Sequence, residues 1–392
     1  MPTGSKSFVL VTERLPHLHP TTIETMQQAG HIAIAGGGVI GLACALVLRR
    51  RGLQVTVLEA GETAKEASWA AGGMLAVEDP GNPSSMLPLS HYSRMLYEQF
   101  LKEIEELSGR HVPLRTHETV QVRHAAQIVR SGRLLSRNEA LRLVPGLGET
   151  NHTYLLLEEA SLDPRELCTA LRAAAIAAGV ALHEYQRVVS IEPEGKDVLL
   201  TTIDGAVRAD GCVNCCGAWA DSLDASAGVV PSKGQMLVIA QPDGPQLTRV
   251  LRSSDVYLIP RGDGRIVIGA TVEDAGYSRQ VDPAALSLLR KRAAALWPPA
   301  AEASEVASWA GLRPASADGL PIIGQIGRCK PGNARRFVAA GHYRNGILLA
   351  PGTAHAIADL VCGTTPAIDL ASFAPHRASI QTVCDKHFAA AL

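Results

Sequence analysis

The sequence predicts a mixed α/β (α+β) fold, and three patterns carry that expectation. Residues 31–59, HIAIAGGGVIGLACALVLRRRGLQVTVLE, pass through an apolar strand, a glycine-rich turn, an apolar helix and a second strand ending on an acid. Between residues 180 and 270, short apolar runs alternate with turn residues, as strands of a sheet do. Helical periodicity over 91–108, 164–178 and 283–296 separates the strand blocks.

Taken in order, 31–35 is a strand, and Gly36-x-Gly38-x-x-Gly41 opens the turn and helix that follow. Gly36 permits the tight turn, Gly38 lets backbone approach a pyrophosphate, and Gly41 lets helix and strand pack closely. Val39 and Ile40, inside the motif, belong to the same candidate cofactor-binding set. The helix N-terminus offers free N–H groups and a positive dipole to phosphate. Glu59 lies 18 residues past Gly41, where a carboxylate can accept from ribose hydroxyls. The whole unit predicts a Rossmann-like dinucleotide-binding domain; the alternative is a glycine-rich turn in an ordinary α/β domain.

The next elements follow from periodicity and punctuation. A helix over 91–108 stops at Gly109, 119–122 reads as a strand, and 136–144 reads as a short helix with Pro145 beyond it. Asp163 as N-cap and Pro164 at the first helical position start a helix that stops at Gly179. Runs 180–185, 187–191, 197–203 and 207–214 read as strands leading back into the first domain. Runs 237–240, 257–260 and 265–270 are further strands, the last two joined by the turn 261–264. A strand over 336–340 precedes a final helix over 351–362, with Pro351 able to sit at its first position. The expected organisation is a dinucleotide-binding domain from residues 31–88, 160–229 and 307–365, with a mixed-sheet substrate domain, 89–159 and 230–306, interleaved. Residues 1–30 read as a flexible extension and 366–392 as a tail of little pattern.

Composition narrows the function. The chain has 392 residues, 46% of them hydrophobic, with 37 basic against 38 acidic residues. The balance of charge and only 4% aromatics argue against nucleic-acid and membrane surfaces. The apolar run 32–48 contains four glycines and is short for a membrane span. Eight cysteines are scattered with no secretory leader before them, which predicts reduced thiols and a cytoplasmic setting. Cys212-x-x-Cys215 could be a metal or redox pair, but without a second ligand pair it reads as two small buried hydrophobes, and no metal is expected.

Four further segments bear on chemistry. Ser68–Leu75, with Ala71, Gly72, Gly73 and Met74, exposes backbone amides and can lie along a flat ring or form a packed turn. Cys216-Gly217-Ala-Trp219 follows a strand and can run beside a pyrophosphate, or simply end a buried strand. Arg313, set between apolar neighbours and Pro314, suits a bidentate carboxylate or a structural ion pair with Asp318 or Glu305. His342, Arg344, Asn345, Gly346, Ile347 and Leu348 form a strand–helix connection whose amides can stabilise negative charge on a reduced ring.

The motifs Ala-Gly-Leu-Arg313-Pro and Gly-His342-Tyr-Arg344-Asn-Gly-Ile-Leu-Leu-Ala-Pro are the most specific, supported by Val-x-x-x-Gly-Ala-Trp219 and Lys233-Gly-Gln. Together they resemble the flavin-dependent amino-acid oxidases of the D-amino-acid oxidase group, and within it the glycine-oxidising branch, over roughly residues 31–365. The resemblance implies noncovalent FAD in an extended pose, with Val188 on the adenine side and Met74 along the flavin. It implies Arg313 as the clamp on a substrate carboxylate, Tyr257 as a second contact to it, and Arg344 at the pyrimidine end of the ring. It implies oxidation of glycine and small related amino acids by oxygen to glyoxylate, ammonia and hydrogen peroxide, with imine passed to a thiazole-forming partner. A homo-oligomer is a further expectation. Two positions depart from the family: Asp255 stands where histidine can occur, and Val272 where methionine can occur, both in the expected substrate pocket. Residues 311–324 hold no cysteine for covalent flavin attachment. A dehydrogenase of the same fold with a non-oxygen acceptor, a flavoprotein without turnover, and a nicotinamide enzyme remain open alternatives.

Overall fold

A computed structural model describes residues 30–123, 131–149, 152–224, 227–327 and 334–377. Residues 1–29 of the expected extension, the tail beyond 377, Cys329 and Cys384 lie outside the described residues.

β1 (His31–Ala35) enters the Gly36 turn and α1 (Val39–Arg50), and β2 (Gln54–Leu58) returns parallel to β1. Gly36 has φ +102°, and a Cβ there would lie 2.4 Å from the Cys215 carbonyl oxygen, so only glycine fits. A Cβ at Gly41 would fall 1.9 Å from the Gly36 carbonyl oxygen, which is why helix and turn can close on each other. α2 (Ala67–Ala70) is one turn, and α3 (Leu87–Ser108) ends on left-handed Gly109 as expected. β3 (Thr119–Arg123), β4 (Arg133–Leu135), α4 (Arg137–Leu143) and β5 (Thr153–Leu157) follow. Ser136 and Glu139 cap α4 reciprocally. α5 (Pro164–Ala177) starts at Asp163, whose carboxylate accepts from the Arg165 N–H.

The chain continues as β6 (Ala181–His183), β7 (Val188–Glu194), β8 (Asp197–Thr202), β9 (Gly205–Ala209) and β10 (Gly211–Asn214). Then come β11 (Val229–Ala240), β12 (Val250–Arg252), β13 (Tyr257–Pro260), β14 (Arg265–Gly269) and α6 (Pro283–Leu296). β15 (Glu305–Ser316), β16 (Ile322–Ile326), β17 (Arg335–Ala340) and α7 (Gly346–Cys362) complete the described elements.

The strands form a six-stranded sheet, β16-β17-β10-β1-β2-β6, an eight-stranded sheet, β15-β11-β14-β13-β12-β3-β5-β4, and a small β7-β8-β9 sheet. The first is parallel except for β16. One of its faces packs on α1, α5 and α7 in the largest core, and the other is covered by Val198, Leu200 and Ala209 of the small sheet. The eight-stranded sheet buries Leu237, Leu251, Leu258 and Ile268 against α6, and turns Met236, Val250, Ile259 and Val267 the other way. Alternation along each strand makes this division.

Two expectations are corrected. The run 207–214 is two strands in different sheets. Asp210 makes the corner, its carboxylate accepting from the His31 N–H at 2.7 Å and its N–H donating to the His31 carbonyl at 2.9 Å. The strands expected over 187–191 and 197–203 join β9 in the separate small sheet. The last helix begins at Gly346, so Pro351 sits inside it rather than at its start. The carbonyl that Pro351 cannot reach, that of Ile347, accepts from Tyr97 Oη at 2.9 Å. Ser93 of α3 donates to the Leu348 carbonyl at 2.6 Å and accepts from the Gly352 N–H at 3.0 Å. A neighbouring helix therefore supplies the hydrogen bonds that proline removes.

Candidate active site

The C-terminal ends of β1, β2, β10 and β17 open onto a cavity of about 860 Å³, and the eight-stranded sheet forms its far wall. Ligands of open α/β sheets bind at this edge.

One end is built from backbone and small residues. Gly36, Gly38, Val39 and Ile40 line it at the start of α1. The Val39 N–H donates to Ser68 Oγ at 2.9 Å, which ties the motif to α2. Glu59 accepts from the Gly37 N–H at 2.7 Å and from the Gly61 N–H at 3.0 Å, so its carboxylate sits over the turn. Val188, at the start of β7, closes this end. Cys216, Gly217 and Trp219 lie along one side. Burial pushes the Cys216 thiol up to about 12, which keeps it protonated, and Trp219 stacks on Tyr277 at 5.7 Å.

Ala71, Gly72, Gly73 and Met74 run along the middle. Gly73 has φ +85°, and a Cβ there would lie 2.2 Å from the Leu162 carbonyl oxygen. This extended stretch lies against the far wall, where a Cβ on Gly72 would come 3.3 Å from the Tyr257 ring.

The far wall is a cross-strand row. The register sets Trp309 opposite Met236, Met236 opposite Gly269, Gly269 opposite Tyr257, Tyr257 opposite Arg252, and Arg252 beside Gln121. Directly opposed residues share a face. Gly269 has no side chain because the Tyr257 ring covers it: a Cβ there would be 2.4 Å from the ring. The Tyr257 hydroxyl donates to Met236 Sδ at 3.3 Å. Burial raises its pKa, against the pull of Arg313, Arg261 and Arg344, so the phenol stays protonated.

Arg313 lies flat across β11, where a Cβ on Gly234 would be 2.2 Å from its guanidinium. Its Nη1 donates to the Thr271 carbonyl at 3.0 Å and the Lys233 carbonyl at 3.4 Å. Behind it, Glu273 accepts from Gln235 Nε2 at 2.8 Å and pairs with the buried Lys233 Nζ at 3.2 Å. That network holds the segment bearing the Thr271 carbonyl. The structural-pair alternatives do not form: Asp318 pairs with Arg377 at 2.7 Å, and Glu305 with Arg290 at 3.7 Å.

At the remaining end, His342, Arg344, Asn345, Gly346 and Ile347 line the cavity around the start of α7. His342 is buried, within 3.0 Å of Thr353 Oγ1, and burial pushes its pKa down to about 3, so it is neutral. Arg344 is the cation here, 3.7 Å from Asp79. Asn345 and Asn82 exchange amide hydrogen bonds at 3.0 and 3.1 Å. Asp255 and Val272 lie on the exposed rim.

Nearly every candidate residue thus reaches one cavity. Two do not: Gly41 lies beneath the turn, and Leu348 is buried in the core. Sequence reasoning missed Met236, Gln121, Arg252 and Asp79, which also line it. For the first three the signal was parity, since they share a strand face with Tyr257 once register is known. Cys212 is buried and its thiol pushed up to about 12, and Cys215 faces Cys44, so both act as small hydrophobes. Among the described residues no acid, histidine and cysteine cluster could hold a metal, and no helix is long and apolar enough to cross a membrane.

Comparison with known proteins agrees with this geometry. A family model described as FAD dependent oxidoreductase matches residues 31–360. The chain is 34% identical to a glycine oxidase of Geobacillus kaustophilus over 363 residues, 87% of this chain and 95% of that protein. It is 35% identical to a bifunctional ThiO/ThiG protein of Synechocystis, covering 90% of this chain and 54% of that longer protein. The crystal structure of glycine oxidase from Geobacillus kaustophilus superposes with a TM-score of 0.83 at 33% identity, covering 89% of this chain and 99% of that one.

Proposed function

Because the chain belongs to the FAD-dependent oxidoreductase family, we propose that it oxidises glycine and small related amino acids, with oxygen as electron acceptor. The single observation that carries this reading is the position of Arg313 and Tyr257. A guanidinium and a protonated phenol share the wall of a cavity whose other end is a glycine cradle for a pyrophosphate.

The residues fit FAD. Gly36 makes the turn, Gly38 lets the backbone at the α1 N-terminus approach a phosphate, and Glu59 stands where a ribose would meet a carboxylate. When bound, FAD supplies the hydride acceptor that oxidises the substrate carbon and then reduces oxygen. Everything else falls to the chain. Arg313 takes the substrate carboxylate through its fork and Tyr257 donates to the same group, fixing the orientation of the Cα–H bond. Thr271 and Lys233 carbonyls hold the guanidinium in place beforehand. Met236, which lines the cavity beside Tyr257, excludes water there. With His342 neutral, Arg344 and the amides at the start of α7 are the groups that stabilise developing negative charge.

In the proposed domain division the strands of the six-stranded sheet, β1, β2, β6, β10, β16 and β17, fall in 31–88, 160–229 and 307–365, and β3 to β5 and β12 to β14 fall in the substrate part, whereas β15, which pairs with β11 in the eight-stranded sheet, lies mostly in 307–365. Similarity to about half of a ThiO/ThiG protein supports a further step, transfer of the imine product to a thiazole-forming partner.

A peroxide assay on FAD-loaded protein with glycine, sarcosine, D-alanine and D-proline tests the reading. One peroxide per glycine oxidised is expected. Flavin reduced anaerobically by glycine without peroxide in air would move the protein to a dehydrogenase. No reduction by any of the four would end the proposal.

A further inference from the structure

We propose that residues 274–281 form a strap across the dinucleotide cradle, held shut by Tyr277 against Trp219 and by Arg279 against Glu66, and that this strap must lift for FAD to enter or leave. The inference rests on FAD occupying the cavity, and not on which amine is oxidised.

The base of the strap is fixed. The chain leaves β14 through Thr271 and Glu273 and returns at Asp282, and the buried Gln235 side chain holds both ends. Its Nε2 donates to Glu273 Oε1 at 2.8 Å, and its Oε1 accepts from the Asp282 N–H at 2.7 Å. The Lys233 and Glu273 backbones exchange hydrogen bonds at 3.0 and 2.9 Å. The Thr271 carbonyl that receives Arg313 belongs to this base, so lifting 274–281 leaves the clamp in place.

The tip is held by side chains alone. Among the described residues, Tyr277 and Arg279 make the ring contact, hydrogen bond and ion pair that tie 274–281 to the rest of the protein. Tyr277 stacks on Trp219 with 5.7 Å between ring centres and 25° between planes. Its hydroxyl donates to the Ala218 carbonyl at 3.3 Å. Arg279 Nη1 meets Glu66 Oε1 at 2.6 Å.

The two anchors flank the cradle. Ala218 and Trp219 line the cavity beyond the end of β10. Glu66 lines it just before α2, two residues from Ser68, whose hydroxyl takes the Val39 N–H of the cradle. Arg279 lines the cavity itself. From residue 277 to 279 the backbone spans about 7 Å at most, so one short segment bridges both anchors. A dinucleotide laid from Glu59 toward Arg344 would pass beneath it.

These contacts join protein to protein, and they are exposed: Tyr277 is 51% accessible, and the Arg279 and Glu66 side chains 53% and 40%. An exposed stack and an exposed ion pair are each weak, which suits a latch that opens. A latch that does not grip the cofactor biases the strap equally with or without it. Removing the latch therefore speeds entry and release together and leaves the dissociation constant nearly unchanged. A residue that grips FAD would instead weaken it.

The test follows flavin itself. FAD-loaded protein is diluted, the release rate is read from the rise of flavin fluorescence, and Kd from its final level over a range of dilutions. In the double variant Tyr277→Ala with Arg279→Gln, release should be about tenfold faster while Kd changes less than threefold. An unchanged release rate overturns the strap. Faster release with Kd weakened in step overturns it too, because Tyr277 and Arg279 would then be direct contacts or simple supports of the fold. If the double variant does not fold, Arg279→Gln alone should show the same pattern at about threefold, and the same two outcomes overturn it. A parent protein that retains no flavin defeats the reading of the cavity and the strap with it, whereas a protein that holds FAD but yields no peroxide from glycine defeats only the proposed oxidation.

Discussion

At the scale of single residues, the site depends on side chains whose charge state burial has set. Arg313 is held by two backbone carbonyls rather than by a carboxylate of the chain, which leaves its charge for a ligand. Arg313→Ala should cost about 2 kcal/mol or more, roughly 30-fold in kcat/KM for glycine. An unchanged value in steady-state peroxide kinetics would remove Arg313 from the clamp. His342 carries a consequence for stability. Its folded pKa, pushed to about 3, lies below the unfolded value, so the unfolded chain binds the extra proton. The stability held by the neutral form is complete above about pH 6.5 and is lost as pH falls toward the folded value. Between pH 7 and 5 the parent protein should lose about 2 kcal/mol more than His342→Gln, measured by urea unfolding at each pH. Parallel losses in the two proteins would contradict a buried neutral imidazole. Arg313 and the glycines were legible because their types and neighbours are unusual, and Tyr257 was named only through the family resemblance. Arg252 was not, because an arginine after a valine and a leucine reads as the exposed end of a strand until register is known.

At the scale of elements, α7 shows how a local rule yields to packing. Pro351 after an apolar run predicts a helix start, and five residues of helix precede it instead. Tyr97 and Ser93 of α3 accept the burden by bonding to the groups proline leaves free. This places the helix N-terminus at Gly346, on the cavity, where its amides matter. Tyr97→Phe should destabilise by about 1–3 kcal/mol, since it strands a buried carbonyl. In a Pro351→Ala background, where residue 351 regains its N–H, the same change should cost less than half as much. Additive costs in thermal unfolding of the four proteins would show that α3 does not compensate for the proline. The corner at Asp210 is a similar case: the run 207–214, read as one strand, contains a change of sheet made by one aspartate and the His31 backbone.

At the scale of the whole molecule, the cavity exists only because two sheets face each other across it. FAD binding should therefore tie both sheets into one unfolding unit. Free FAD at about 1,000 times its dissociation constant should add about 4 kcal/mol to stability, visible as a midpoint that rises with FAD concentration. A midpoint independent of FAD would mean that the cavity is not its site. The sequence by itself determined the strand–turn–helix–strand unit and pointed to Arg313 and the 342–347 loop as candidate site residues, with Tyr257 added by the family resemblance. Those depend on contacts within a few residues, on backbone sterics and on side-chain types. Only the tertiary structure decided that Met236, Tyr257, Arg252 and Gln121 stand in one row, that Gly41 and Leu348 stay behind the wall, and that Pro351 lies inside a helix. Each of these depends on pairing or packing between segments far apart in the chain, where a shift of one residue turns every side chain to the other face.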